Sequence, residues 1–507
     1  MTRSAEPCAG IKACVAAAII AGLSGCDLAP PYTVPHYPLP ESFHGDGPFV
    51  VARPNDVAPR GAWWEQFGDT RLDELEAQLN AKNPDLAAMA EAYTQSRDLV
   101  AEARSNLYPQ LTASASLSYE SESEHTPFRI QRSGVSLVAP NNRIGLSASW
   151  EPDIWGAIRN QVRTQTRLAQ ASAATLAGLE LSLQAELASD YVALRGVDLQ
   201  IAIYRTAIVS YRQAVLITTQ RFQGKIASGI DVQRSQSQLA MTQQLLEGAL
   251  ASRALLQHAI AVLSGDNPST VAIPPREAMD LTLVETPVVV PSALLERRPD
   301  IAAAERRMAA ANATIGVSRA AFYPQITISG AAGFEDTGFD LASVPNSVWS
   351  IGGGAVLPIF EGGLRRAELQ RSWSQYAQTR DQYRSAVLSA FADVEDELAQ
   401  TAHLRAQVAA QIEAASAADK AQALAMQLYI GGLTNYLDVV VAQETALSAH
   451  IVAAQLQTAQ FQAEIGLIRA LGGGWTTSRL PSDAAVVPFG PLDYPPAENA
   501  HSPDPTH

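Results

Sequence analysis

Leu107-Tyr108-Pro109-Gln110-Leu111-Thr112-Ala113-Ser114-Ala115-Ser116-Leu117-Ser118-Tyr119 alternates apolar and small polar residues strictly from Leu111 onward. That is the period of a β-strand with one apolar face. A polar stretch, Glu120 to Arg143, separates it from a second alternation in Ile144, Leu146, Ala148 and Trp150. The arrangement returns as Ile326, Ile328, Gly330, Ala332 and Phe334, then as Trp349, Ile351, Gly353, Ala355 and Leu357. Segments of about ten residues with one apolar face suit strands that cross a membrane. Tyr108, Tyr119, Trp150, Trp155, Phe322, Tyr323, Phe334, Trp349 and Phe360 fall at or near the strand ends, where interfacial aromatic girdles sit. Serine and glycine on the alternate face fit a wet lumen better than a packed core.

The returning strands belong to a duplication. Asn83-Pro84-Asp85-Leu86 and Leu107-Tyr108-Pro109-Gln110-Leu111 recur as Arg298-Pro299-Asp300-Ile301 and Phe322-Tyr323-Pro324-Gln325-Ile326, both displaced by 215 positions. Pro152, Gly156 and Arg159 reappear as Pro358, Gly362 and Arg365, and Phe222-x-Gly224 with Asp231-Val232 as Tyr429-x-Gly431 with Asp438-Val439. A unit of this length is far above solenoid periods, so the chain reads as two pseudo-symmetric halves of one architecture.

After each strand pair the period changes. Leu176, Leu179, Leu183, Leu187, Tyr191, Leu194, Val197, Ile201, Tyr204, Ile208, Tyr211 and Val215 follow at steps of three or four, and 156–222 lacks proline. This predicts a supercoiled helix of about 100 Å. Helices over 70–106 and 231–263 together match its length, as do 300–320 and 436–471 against 362–429. The expected plan has two repeats. The first, 63–270, holds a helix, a hairpin over 109–150, a long helix over 156–222 and a return helix over 231–263. The second, 271–475, holds a helix over 299–321, a hairpin over 324–360, a long helix over 362–429 and a return helix over 436–471. A Pro-rich segment, 26–62, should run extended, and the tail, 476–507, should be disordered.

Residues 1–25 read as a secretory signal: Arg3 and Lys12 precede an apolar run, Ala13 to Leu23, too short to span a bilayer. Leu23-Ser24-Gly25-Cys26 resembles a bacterial lipobox, which makes Cys26 the expected lipidation site. Cleavage there removes Cys8 and Cys14 and leaves one thiol, so no internal disulfide can form. No later run of 18 apolar residues offers a transmembrane helix. With 36 Lys and Arg against 51 Asp and Glu, a balance of −15, a phosphate-neutralising surface for nucleic acid is not expected. The eight histidines are scattered without metal-ligand spacing, and no catalytic constellation or cofactor motif emerges.

Four strands cannot close on themselves, and an open edge in hydrocarbon leaves backbone groups unpaired at several kcal/mol each. Two chains would supply eight strands and three would supply twelve. Strand counting does not choose.

A family resemblance does. Trp63-Trp64-x-x-Phe67-Gly68-Asp69, Asn83-Pro84-Asp85-Leu86, Arg298-Pro299-Asp300-Ile301 with Ala304-Glu305, Ala321-Phe322-Tyr323-Pro324, Leu357-Pro358-Ile359-Phe360-x-Gly362-Gly363 and Tyr429-x-x-Gly432-x-x-x-Tyr436-Leu437-Asp438-Val439 together resemble the outer membrane factors of tripartite efflux pumps. The resemblance is to the lipoprotein branch of the OprM and NodT type, with TolC more distant, and covers nearly the whole mature chain. It implies a mainly α TolC-like homotrimer. A twelve-stranded outer-membrane β-barrel, four strands per chain, would continue into a periplasmic α-helical barrel, lipid-anchored at Cys26 in a Gram-negative outer membrane. Its partners would be a periplasmic adaptor and an inner-membrane RND transporter, and its role passive conduction rather than catalysis. A TolC-like channel for type I protein secretion and a pore-less lipid-anchored coiled-coil scaffold are the alternatives.

On the same resemblance, Gly224, Lys225, Ile226, Ala227 and Ser228, with Gly431, Gly432, Leu433 and Thr434, are the adaptor-docking tips. Asp438, Asp231 and Tyr429 form the periplasmic gate. Three copies of a carboxylate round a narrow axis would repel one another and favour cations. Ser228-x-x-Asp231 and Asn435-x-x-Asp438 also read as helix-capping boxes. Two positions depart from the pattern: Lys225 replaces a usual glycine, and Val441 replaces a usual acid. Asp27, beside the expected lipid anchor, resembles an inner-membrane retention signal. Asp393, Glu395, Asp396 and Glu397 read as a solvated helix face.

Overall fold

The computed structural model describes residues 27–38, 43, 61–121, 138–283, 294–341 and 343–490. Cys26 and the signal segment lie outside the described residues, as do most of 26–62 and all of 491–507.

A 3-10 turn, Trp63–Phe67, leads into α1 (Thr70–Lys82). The first unit then runs α2 (Pro84–Ser105), β1 (Gln110–Ser121), β2 (Val138–Trp150), α3 (Ala157–Gln223) and α4 (Gly229–Leu263). After a single turn, Leu294–Arg297, the second unit runs α5 (Pro299–Ala320), β3 (Gln325–Asp336), β4 (Ser347–Val356), α6 (Leu364–Ile430) and α7 (Tyr436–Ala470). The halves agree residue for residue in helix length: 22 in α2 and α5, 67 in α3 and α6, 35 in α4 and α7.

Sequence composition reads 70–106 as one helix, and the structure breaks it at Asn83. This residue is extended, with φ −64° and ψ 122°, because its Oδ1 accepts the N–H groups of Asp85 and Leu86 at 2.9 and 3.0 Å. Pro84 has no N–H to satisfy and fits the first helical position. Only α2 therefore stacks on α4, while α1 turns aside against α3.

The duplicated x-Pro-Asp motif has one job done twice. Asn83 Nδ2 donates to the Leu263 carbonyl at the end of α4 (2.9 Å), and Arg298 Nη1 donates to the Ala470 carbonyl at the end of α7 (3.1 Å). Each bond satisfies an orphan carbonyl and joins the returning helix to the short one above it. Gly265 and Gly472 follow those ends with φ +75° and +94°. A Cβ on Gly472 would overlap the Arg297 carbonyl, and one on Gly265 would overlap that of Lys82.

The stacked pair α2 and α4 flanks one side of α3, the stacked pair α5 and α7 flanks the other, and α6 packs beyond that second pair. One chain is thus a row of four rods, with α6 at one border and α2 with α4 at the other. The four strands form one antiparallel sheet in the order β1-β2-β3-β4. Its register lines up Leu111, Ala148, Gly330 and Ile351, and beside them Ala113, Leu146, Ala332 and Trp349. This face has no cover within the chain: Leu111, Trp349 and Ile351 are 70%, 78% and 78% exposed. The reverse face presents Thr112, Ser147, Ala331 and Ser350. Where sheet meets rods, Trp150 Nε1 donates to the Leu107 carbonyl (3.0 Å) and Trp155 Nε1 to that of Pro324 (2.8 Å). The Trp155 ring stacks on Tyr323 at 4.7 Å.

The main apolar core lies around the middle of the row. Trp63, Phe67, Leu72, Leu75 and Leu79 pack on Leu187, Tyr191 and Leu194 of α3, with Ile260 and Ile465. A buried polar network adjoins it. Asp69 accepts the Tyr191 hydroxyl (2.8 Å) and Arg276 Nη1 (2.6 Å), and Tyr191 accepts Arg195 Nη2 (2.8 Å). Arg195 Nη1 also bonds Asp198 (2.9 Å) and the Pro274 carbonyl (2.8 Å), while Arg253 Nε bonds Asp198 (2.6 Å). Burial pushes the Asp69 carboxyl up, but the Tyr191 hydroxyl, the Arg71 N–H and the Arg276 charge outweigh it and hold the group below the usual range.

The expectation of a disordered tail fails for its described part. Val486 is fully buried against Val100 and Ala169, and Arg167 binds Asp483 at 2.9 Å. The proline-based reading missed this because the anchoring residues lie on α2 and α3, remote in sequence. By length and composition α7 could also cross a membrane, contrary to the sequence expectation. Its contacts with α3 and α6, and its buried Gln443 and Glu464, place it in the row of rods.

Candidate functional site: the paired helical tips

Among the described residues four helix ends close with the same bond pair, in which the residue two past the cap donates to the carbonyl five back and its predecessor to the carbonyl three back. At the α3 end, Ile226 N donates to Arg221 O (2.8 Å) and Lys225 N to Phe222 O (2.9 Å). At the α6 end, Leu433 N donates to Leu428 O (2.9 Å) and Gly432 N to Tyr429 O (3.0 Å). The α4 and α7 ends repeat it through Gly265 and Gly472. The motif needs a left-handed residue, and three of the four are glycine. The fourth is Lys225 at φ +56°, the one non-glycine with positive φ among the described residues. For an L-residue that conformation costs roughly 1–2 kcal/mol. Lys225→Gly is therefore expected to stabilise the tip by about 1 kcal/mol, read as a higher thermal midpoint of the helical signal. Lys225→Ala should give no such gain.

The structure brings the two tips together through residues of α3 and α6. Arg221 Nη1 donates to the Ile430 carbonyl (2.9 Å), and its guanidinium lies 4.8 Å from the centre of the Tyr429 ring. The Tyr429 hydroxyl donates to Asp231 Oδ2 (3.4 Å), and its ring meets Tyr436 edge-on at 5.1 Å. Burial, then the Asp231 charge, pushes the Tyr429 hydroxyl above its ordinary range, so it stays a donor at neutral pH. Behind this pair, Tyr211 donates to the Gln443 carbonyl (3.1 Å), and Thr218 and Ser235 share a bond of 2.9 Å. Arg221 was not singled out from sequence. Its signal is its place one residue before the duplicated aromatic-x-Gly.

Asp231 and Asp438 have separate partners. The Asp438 carboxylate accepts the Thr434 hydroxyl, and its N–H donates to Asn435 Oδ1 (3.3 Å). Ser228 Oγ accepts the Ile230 N–H (3.2 Å). The capping reading therefore holds for Ser228 and Asn435, whereas both carboxylates bond other side chains. Outside this seam the tips expose apolar side chains, Ile226, Ile230, Leu433, Leu437 and Val441, with the cationic Lys225 and with Gly224, Ser228, Gly431 and Gly432 beside them. Ala227 and Thr434 are half-buried. Among the described residues no group of three or more His, Cys, Asp or Glu could hold a metal ion.

The profile of the outer membrane efflux protein family matches residues 75–266 and again 290–473, one match to each structural unit. The chain belongs to the outer membrane efflux protein family. It is 31% identical over 441 residues to the pyoverdine export outer membrane protein OpmQ of Pseudomonas aeruginosa, covering 85% of this chain and 91% of that protein. It is 30% identical to the toluene efflux pump outer membrane protein TtgF of Pseudomonas putida, over 90% and 96% of the two chains. The solved outer-membrane channel OprN superposes with a TM-score of 0.81 at 27% identity, over 89% of this chain and 100% of that one. This efflux protein thus has the TolC-like channel fold and is an outer-membrane component of an efflux system.

Proposed function

We propose that three copies of this efflux protein pool their sheets into a twelve-stranded barrel and their rods into one periplasmic tunnel, and that the assembly passively conducts drugs or other small solutes outward. The observation that carries the reading is the pair of free borders in one chain. β1 and β4 each leave a backbone edge unpaired, and the sheet's apolar face is bare. Unpaired edges in hydrocarbon cost several kcal/mol per group, and the remedy is the next copy.

At the far end the exposed tips, Gly224–Ser228 and Gly431–Thr434, are the surface offered to a periplasmic adaptor, and an inner-membrane RND transporter supplies the energy. Asp231, Asp438 and Tyr429, with Arg221 against the Tyr429 ring, form the gate: three copies of each carboxylate near one axis repel each other and attract cations. Cys26 carries the lipid.

Native mass measurement in detergent should give a trimer, and planar-bilayer recording should show a small, cation-selective conductance. The double variant Asp231→Ala/Asp438→Ala should conduct more and shift the reversal potential in a KCl gradient toward zero. A monodisperse monomer, or unchanged selectivity in the double variant, contradicts the reading.

A further inference from the structure

The extended segment 27–38 is seated in a groove whose receptors are regularly spaced. Along α5, Arg319 Nη1 donates to the Leu28 carbonyl (3.1 Å), Asn312 Nδ2 donates to the Pro30 carbonyl (2.9 Å), and Glu305 accepts the Tyr32 hydroxyl. Positions 319, 312 and 305 are seven apart, so one face of the helix reads successive strap residues. Farther on, Tyr37 lies 6.1 Å from Tyr383 and 5.7 Å from the Arg384 guanidinium, and Phe43 lies 6.0 Å from Phe391.

The head of the strap has its own cradle. Asp27 Oδ2 accepts Arg163 Nη1 of α3 (2.8 Å), and Oδ1 accepts Asn160 Nδ2 (3.1 Å) and the Ala29 N–H (3.1 Å). Asn160 is 1% exposed and also accepts Arg163 Nη1 through Oδ1 (2.8 Å), which fixes its amide orientation. Gly316 makes room: a Cβ there would press on Asn160 and on Ala29.

We propose that Asp27 is a positioning residue, the terminal clamp of a built-in strap, and that the α3–α5 cradle of Asn160, Arg163 and Gly316 sets the height at which the head of the mature chain leaves the helical row. Its carboxylate is engaged three ways in the folded chain, which gives a structural reason for an acid at this position apart from any sorting signal. The consequence for the membrane rests on the reading of Cys26 as the acylated residue: a lipid one residue before the clamp is held beside the strand–rod junction.

The test uses the full-length protein in detergent, digested with chymotrypsin, and follows cleavage after Tyr32 by fragment mass. Asp27→Asn and Arg163→Ala should each speed that cleavage roughly fivefold, as expected for losing one half-exposed pair. The double variant should be no faster than either single one, and the exchange Asp27→Arg/Arg163→Asp should restore protection. Unchanged cleavage in Arg163→Ala overturns the clamp. So does an Asp27→Ser variant that moves between inner and outer membrane fractions with its cleavage rate unaltered, since position 27 is then read only as a sorting signal. Cys26→Ser separates the two readings: it should abolish palmitate labelling and leave strap protection intact, and labelling that persists removes the lipid consequence alone.

Discussion

Asp198→Ala is expected to lower the stability of the folded chain by about 3–5 kcal/mol, the cost of leaving a buried charge without its counter-ion. Arg195 is 2% exposed and Asp198 3%, and water cannot reach either to compensate. The Asp198 carboxylate is the charge that balances Arg195, receives Arg253 at 2.6 Å and accepts the Arg276 N–H at 3.2 Å. Removing it loosens α3, α4 and residues 273–276 together. A hydrophobic replacement of the pair, Arg195→Met with Asp198→Leu, should recover part of the loss, because the desolvation penalty of both ions disappears with them while Arg253, which also pairs with Asp198, still stands without its counter-ion. Thermal melts of the three variants check this. A double variant as unstable as Asp198→Ala would mean that the network stabilises through shape rather than charge.

The second large effect is a gain. Glu76 of α1 is fully buried, and neither carboxylate oxygen has a hydrogen-bond partner. Burial, with the Asp73 charge adding to it, pushes its carboxyl up to about 9, so the folded chain holds it neutral at pH 7. The unfolded chain ionises near the ordinary glutamate value of about 4.3. The folded form thus binds the proton more tightly, and stability is greatest below the unfolded value and falls as pH rises toward 9. At pH 7 the deficit is about 4 kcal/mol. Glu76→Gln stays neutral throughout, so it should be more stable than the parent by about that amount at pH 7 and equal to it near pH 4. Denaturation at pH 4, 7 and 8.5 decides the matter, and a constant offset across the three would refute the protonation account.

Much of the architecture was legible because it is written in local periods. Period-two alternation located the strands, steps of three and four located the rods, and the family motifs pointed to the channel fold. What escaped depends on partners far along the chain. Arg298-Pro299-Asp300 was visible as a signature, but its bond to the Ala470 carbonyl spans 172 residues. Arg195 and Asp198 are three apart on α3, a spacing that normally marks a solvated pair, and nothing local reveals that α4 and Pro274 close over them. At the tips, Lys225 was noticed as a departure, and only the backbone shows what the departure costs: the position is left-handed. Arg221 stayed hidden because a lone arginine near a helix end already has a bland explanation.

Equal helix lengths in the two halves have a consequence for the rim of the assembly. In the proposed trimer, three chains would present six tips, built by the same bond pair yet alternating in kind: one ends on a strained, cationic Lys225, the next on an unstrained Gly432. To an approaching ring the mouth of that trimer would look sixfold in outline and threefold in chemistry, so a six-membered collar of identical subunits would have to grip it with two alternating sets of contacts.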